Sequence, residues 1–196
     1  MRVDHYARVL GERCRVDRQA QILDLGAGTG HNTLPWAARF PETEVHGIDL
    51  SPAMLHCAQR RAALNRAAIH WKQMNAEALE YPDRSFDVVS ACLLFHELPE
   101  EAIRRVCREA RRVLRRNGLF VIADHVPFDQ ATTPLQAFHR WWDTFYNGEP
   151  FVLDFVRLDL PVLLQEAGFT STEQLLIEKP SGHAASAIAR AVIARP

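Results

Sequence analysis

The sequence is short of several things, and each shortage narrows what the protein can be. It has only two lysines, Lys72 and Lys179, so its positive charge is almost all arginine. Its 23 basic and 24 acidic residues leave a formal net charge of -1. That balance builds no strong global field for drawing in nucleic acid, and none is expected as a partner. Cysteine is scarce: Cys14, Cys57, Cys92 and Cys107. None forms a C-x-x-C pair, so a structural zinc site has no support. Reduced, mostly buried thiols in a cytoplasmic protein are expected instead. No hydrophobic run reaches the length of a membrane span. The start, Met-Arg-Val-Asp-His, lacks the apolar stretch of a secretion signal. Internal repeats and low-complexity tracts are also missing.

What remains is an ordinary globular composition, 47% hydrophobic and 24% charged over 196 residues. A chain of that length suits one domain and can bury roughly 70% of its unfolded surface. Apolar runs at 21–25, 44–48, 69–74, 86–94 and 119–123 read as strands. Helical patterns fall between them at 33–40, 52–65 and 100–116. Ser51 is placed to cap the second helix, with Pro52 at its first position. In the third, Ile103, Val106, Cys107, Ala110, Val113 and Leu114 share one face. Glu100 and Glu101 suit its first turn, Arg115 and Arg116 its last, and Asn117-Gly118 is expected to close it. The arginines at 104, 105, 108, 111, 112, 115 and 116 then form a solvated face. Further on, 160–167 reads as a helix ending at Gly168. Segments 169–178 and 183–194 can pair as two strands about a turn at 179–182, with a helix over 184–194 as the alternative. Strand and helix alternation predicts an α/β fold with a mostly parallel sheet covered on both faces.

Gly26, Gly28 and Gly30 follow the first strand in a G-x-G-x-G spacing. Such a loop brings backbone N–H groups close to a ligand, but glycine turns after strands also occur without one. Asp49 ends the second strand, where a carboxylate can take both hydroxyls of a ribose. The run Asp24-Leu-Gly26-Ala-Gly28-Thr-Gly30, then Gly47-Ile-Asp49-Leu-Ser51-Pro-Ala-Met54, resembles class I (Rossmann-like) S-adenosylmethionine-dependent methyltransferases. Asn75-Ala-Glu77-Ala-Leu79, Asp83-Arg-Ser-Phe86-Asp87 and Arg111 to Gly118 extend the match in order over about residues 20–125. The Asn75-Ala-Glu77 stretch is similar to the ubiquinone and menaquinone C-methyltransferase branch and its small-molecule relatives.

The resemblance implies a seven-stranded, doubly wound, mostly parallel sheet with an antiparallel last strand. It implies a cofactor half at about 20–125 and an acceptor-side insertion with a final hairpin at 126–196. S-adenosylmethionine would be the cofactor. Asp24 and the loop Gly26, Ala27, Gly28 and Gly30 would hold its methionine part, and Asp49 its ribose. Leu50 and Met54 would pack on the adenine, and Asn75 with Ala76 would meet the adenine edge. Cys92 or Leu93 would lie near the methionine chain. Two positions depart from the family: Asn75 stands where Asp is frequent, and Arg116-Asn117-Gly118 where Pro-Gly-Gly is usual. Only about 20 residues precede the first strand. That leaves either an open acceptor side or one completed by a second subunit in a homodimer.

The acceptor, a small molecule, is expected beyond the carboxyl ends of the strands. His31, His96 and His125 fall at such ends, with Glu97 and Asp124 beside them. His96 is the candidate base or acceptor-orienting group, with Glu97 and His125 as further catalytic candidates. The alternative is a His96 that merely bonds a loop carbonyl. No metal is expected from the three histidines, because His31 would face the start of a helix. Phe128, Phe138, Trp141, Trp142, Phe145, Tyr146, Phe151 and Phe155 crowd the connection after the fifth strand. They can line a pocket for a flat or apolar acceptor or simply pack a helix onto the sheet. Methyl transfer by in-line displacement is therefore the leading function. A nicotinamide-dependent oxidoreductase is disfavoured by His31 where its fingerprint needs glycine. A non-catalytic cofactor-binding module stays open.

Overall fold

Apolar runs too short for a helix and covered on both sides become the centre of a sheet. Gln21–Leu25 (β1), Glu44–Asp49 (β2), His70–Gln73 (β3) and Phe86–Cys92 (β4) pair in parallel. The computed structural model describes residues 19–125, 138, 142, 146, 148–177 and 189–196. Leu114–His125 (β5) adds in parallel to β4. Ala189–Arg195 (β7) runs antiparallel between β5 and Ser171–Ile177 (β6). The strand order is β3-β2-β1-β4-β5-β7-β6. The hairpin reading of the last segments holds, and the backbone at 189–195 is strand, not helix. The turn expected at 179–182 lies outside the described residues.

Successive side chains in a strand point to opposite faces. Leu23 and Ile122 pack on one side with Ile103, Val106 and Ala110 of helix α3 (Glu100–Val113) and Leu163 and Leu164 of α5 (Leu160–Glu166). Their chain neighbours Ile22 and Val121 pack on the other side with Trp36 of α1 (Thr33–Arg39). Helix α2 (Pro52–Leu64) begins as expected: Ser51 Oγ accepts from the Met54 N–H at 3.3 Å, and Pro52 takes the first position. A short helix, α4 (Val152–Phe155), precedes α5.

Helix α3 stops at Val113, three residues before the expected end. Leu114 is already strand, fully buried and opposite Phe86. The next partner of β4 is Leu119 against Val88, so residues between them bulge. Gly118 fits this bulge because a Cβ there would lie 3.0 Å from the Asp87 carbonyl oxygen. Arg115 reaches the Asp87 carboxylate at 2.5 Å. Asn117-Gly118 thus belongs to a strand bulge, not to a helix terminus. The expected strand at 86–94 ends at Cys92, since Leu93 turns into the left-handed region with φ of 54°.

The arginines of this stretch lie on the solvent side, none of them buried, and several are held in ion pairs. Arg104 pairs with Glu100 and Glu166, Arg105 with Glu77, and Arg112 with Glu109 and Asp83. Arg112 also donates to the carbonyls of Leu79 and Tyr81. Cys57 is exposed, Cys92 half-buried and Cys107 buried, so burial of the thiols is only partial; Cys14 lies outside the described residues. Among the described residues, no helix is long and apolar enough to cross a membrane.

Candidate active site

The strand order reverses between β1 and β4, and the loops leaving their carboxyl ends diverge there. The loop after β1 carries Gly26, Gly28 and Gly30, all with positive φ of 63°, 53° and 80°. Three left-handed residues in five are cheap only for glycine. The Ala27 N–H donates to the Ile48 carbonyl and the Gly30 N–H to the Ala27 carbonyl, both at 2.8 Å. A Cβ on Gly28 would meet nothing within 4 Å, so the loop opens onto free space at that point. Gly30 is backed by the ring of Trp71, 3.0 Å from where its Cβ would stand. Trp71 went unnoticed in the sequence because it stands in the weakest strand.

Asp49 closes β2 beside this loop. Its Oδ2 accepts from the Gly28 N–H and its Oδ1 from the Ser51 N–H, both at 2.8 Å. A carboxylate offers about four acceptor positions, so roughly half remain for a ligand. Leu50 and Met54 next to it are 62% and 45% exposed. The Met74 N–H donates to the Asp49 carbonyl, which brings Asn75 to the same edge. Asn75 Oδ1 accepts from the Glu77 N–H at 2.9 Å, an interaction asparagine makes as well as aspartate. Ala76 beside it is half-buried.

Asp24 is placed differently from its neighbours. It is buried, and its two oxygens accept from the Ser90 and Thr33 hydroxyls, each at 2.6 Å. Burial raises its carboxyl to about 6, against the two hydroxyl hydrogen bonds and with help from Asp49. It therefore ties β1 to β4 and to the start of α1 beneath the loop. Cys92 is half-buried nearby; burial, with Asp24 and Asp124, pushes its thiol far up, which keeps it protonated. Leu93 is 39% exposed at the end of β4.

A second cluster lies at the ends of β4 and β5. The chain after Leu94 makes a short 3-10 turn, Phe95–Glu97. Asp124 anchors it: Oδ2 accepts from the Phe95 N–H at 2.9 Å and the His96 N–H at 3.4 Å. Asp124 Oδ1 accepts from the His125 N–H and faces His96 Nδ1, both at 2.7 Å. An oxygen that accepts from both sides requires the hydrogen on Nδ1, which leaves Nε2 without it on the side of Glu97. The His96 side chain is only 6% exposed, with Glu97 Oε1 3.6 Å from Nε2. The His125 ring stands perpendicular to it at 4.7 Å. Burial pulls the His96 imidazole down, but Asp124, Glu97 and Glu149 outweigh it, and the net movement is upward.

His96, Glu97 and His125 are thus brought together as expected, whereas His31 is not part of this cluster. Thr29 Oγ1 and Arg61 Nη1 hold His31 at 2.9 and 2.7 Å on the glycine-loop side. Asp124 is the residue whose weight the sequence understated; its signal was a carboxylate ending an otherwise apolar strand. Of the aromatic run, Phe155 is core, against Phe95. Phe138, Trp142 and Tyr146 are exposed helical residues whose rings follow one another at 5.9 and 4.2 Å. Phe151 is half-buried; Phe128, Trp141 and Phe145 lie outside the described residues.

Comparison with known proteins agrees with this geometry. A family model described as a methyltransferase domain matches residues 22–118. The chain is 32% identical over 131 residues to a demethylmenaquinone methyltransferase of Thermotoga maritima, covering 65% of this chain and 55% of that protein. It is 33% identical over 142 residues to a phosphatidylethanolamine N-methyltransferase of Cereibacter sphaeroides, covering 70% and 66%. The matches span about half the length of the curated relatives. A solved structure of SAM-dependent methyltransferases from Methanosarcina mazei superposes with a TM-score of 0.72 at 20% identity, over 95% of this chain and 96% of that one. At that identity the likeness speaks for the fold alone. The matched segment holds the glycine loop, Asp49 and the turn at His96, and the chain belongs to the class I S-adenosylmethionine-dependent methyltransferase family.

Proposed function

We propose that the chain transfers the methyl group of S-adenosylmethionine to a small acceptor by in-line displacement. The observation that carries this reading is Asp49. Its carboxylate is fixed by Gly28 and Ser51 yet keeps acceptor capacity for the ribose hydroxyls. The free space above Gly28 leaves room for the methionine chain. Leu50 and Met54 present bare apolar surface for the adenine, with Asn75 and Ala76 at its edge. Asp24 acts here from below, by holding Thr33 and Ser90 and by its charge, since it is buried beneath the loop with a hydroxyl on each oxygen.

The cofactor supplies a methyl group already activated on a cationic sulfur. The chain's task is to align the acceptor with that methyl and to exclude water. His96, Glu97 and His125 form the polar group on the acceptor side, and Asp124 fixes the direction of the His96 ring. The exposed rings of Phe138, Trp142 and Tyr146 suit an acceptor with a flat or apolar body. His31 at the third fingerprint position speaks against the nicotinamide alternative.

Calorimetric titration with S-adenosylhomocysteine tests this, with NADH as control. The homocysteine compound binds and NADH does not. Asp49→Ala weakens that binding by roughly tenfold or more, as expected for a lost charged hydrogen-bond acceptor. A folded protein that ignores the homocysteine compound overturns the reading.

A further inference from the structure

We infer that His96, Glu97 and Glu149 form a site for a divalent first-row cation such as manganese(II), with Asp124 fixing the imidazole. One ligand atom from each of the three lies within 4.8 Å of the others. They come from two parts of the fold. His96 and Glu97 belong to the 3-10 turn after β4. Glu149 stands just before α4, and its carbonyl accepts from the Val152 N–H at 3.4 Å. Packing of Phe155 of α4 edge-on to Phe95, at 6.4 Å, holds that segment against the turn.

The imidazole points independently to a ligand. It is 94% buried by its side chain's 6% exposure, and Nδ1 is committed to Asp124 at 2.7 Å. Among the described residues Nε2 has no hydrogen bond; its nearest polar neighbour is Glu97 Oε1 at 3.6 Å. A histidine whose one nitrogen donates to a buried carboxylate while the other is aimed at further carboxylates has the arrangement of a metal ligand. Charge argues the same way. Asp124, Glu97 and Glu149 gather around one imidazole, and neither Asp124 nor Glu97 has an arginine or lysine partner among the described residues. His125, perpendicular to His96, adds a second imidazole beside the cluster. Mixed nitrogen and oxygen donors suit manganese, iron(II) or zinc better than magnesium, which prefers oxygen alone.

The cation site does not depend on the methyl-transfer reading. One consequence does: on that reading, the cation's open side selects an acceptor with an oxygen donor able to coordinate it.

The test uses the full chain freed of metal by a chelator. Manganese(II) is added while electron paramagnetic resonance follows the loss of the free-ion signal. A single ion binds. Glu97→Gln and Glu149→Gln each weaken it roughly tenfold or more, and Asp124→Asn by roughly ten- to a hundredfold. Circular dichroism shows that each variant keeps its fold. The proposal is overturned if the wild type takes up no manganese, or if Glu97→Gln and Glu149→Gln bind it as tightly as the wild type. Homocysteine-compound titrations on the same samples report on the methyltransferase reading separately, so either can fail alone.

Discussion

Asp24 is the residue where burial and charge compete most openly. Its carboxyl is raised from 3.8 to about 6, first by burial. The folded protein therefore holds this proton more tightly than the unfolded chain. The stabilisation is complete below 3.8 and is lost as the pH rises through about 6. At neutral pH the buried charge thus costs on the order of 3 kcal/mol. Asp24→Asn keeps the shape and removes the charge, while its amide can still meet the Thr33 and Ser90 hydroxyls. The variant is expected to unfold at higher urea than wild type at pH 8 and to lose the wild-type slope between pH 4 and 6. A slope that persists in the variant refutes the assignment. On the proposed reading, a charge kept at such cost beside the glycine loop serves the cationic sulfur of the cofactor. The sequence marked Asp24 by its motif position but not by this clamp, because Ser90 is 66 residues away.

At the scale of elements, the junction of α3 and β5 shows where local pattern stops being sufficient. Residues 100–113 follow the helical period, and so does Leu114, which made an end at Arg116 the natural reading. Strand pairing wins at Leu114 because its side chain is buried opposite Phe86. Gly118 then passes within van der Waals reach of the β4 backbone. Gly118→Ala is expected to lower stability by about 1–3 kcal/mol, because the added carbon would press on the buried Leu114 side chain at 2.8 Å and on the Arg115 and Asp87 carbonyl oxygens at 3.0 Å. Chemical denaturation measures this, and an unchanged midpoint would refute the tight bulge. By contrast β1, β2 and α2 were legible nearly to the residue. Their signals are local: an apolar run before glycine, and Ser51-Pro52 at a helix start. The 3-10 turn at His96 was not legible, since its anchor, Asp124, comes from another strand.

For the whole molecule, alternation of strands and helices was enough for a mostly parallel sheet covered on both faces, whereas the seven strands and the antiparallel last strand came from the family resemblance. The sheet gathers the glycine loop, Asp49 and the His96 turn at one rim. A ligand bridging those loops binds only the folded state. Homocysteine compound at a hundred times its dissociation constant should add about 2.7 kcal/mol. The melting midpoint should then rise by about 5 to 10 °C, while NADH leaves it in place. No rise with the first compound speaks against a shared rim. The strand order has one more consequence, for synthesis. β7 is the wedge between β5 and β6, so Val121 to Ala123 keep an unpaired edge until residues 189–195 have cleared the ribosomal tunnel. Until then the nascent chain presents a ready template for wrong pairing.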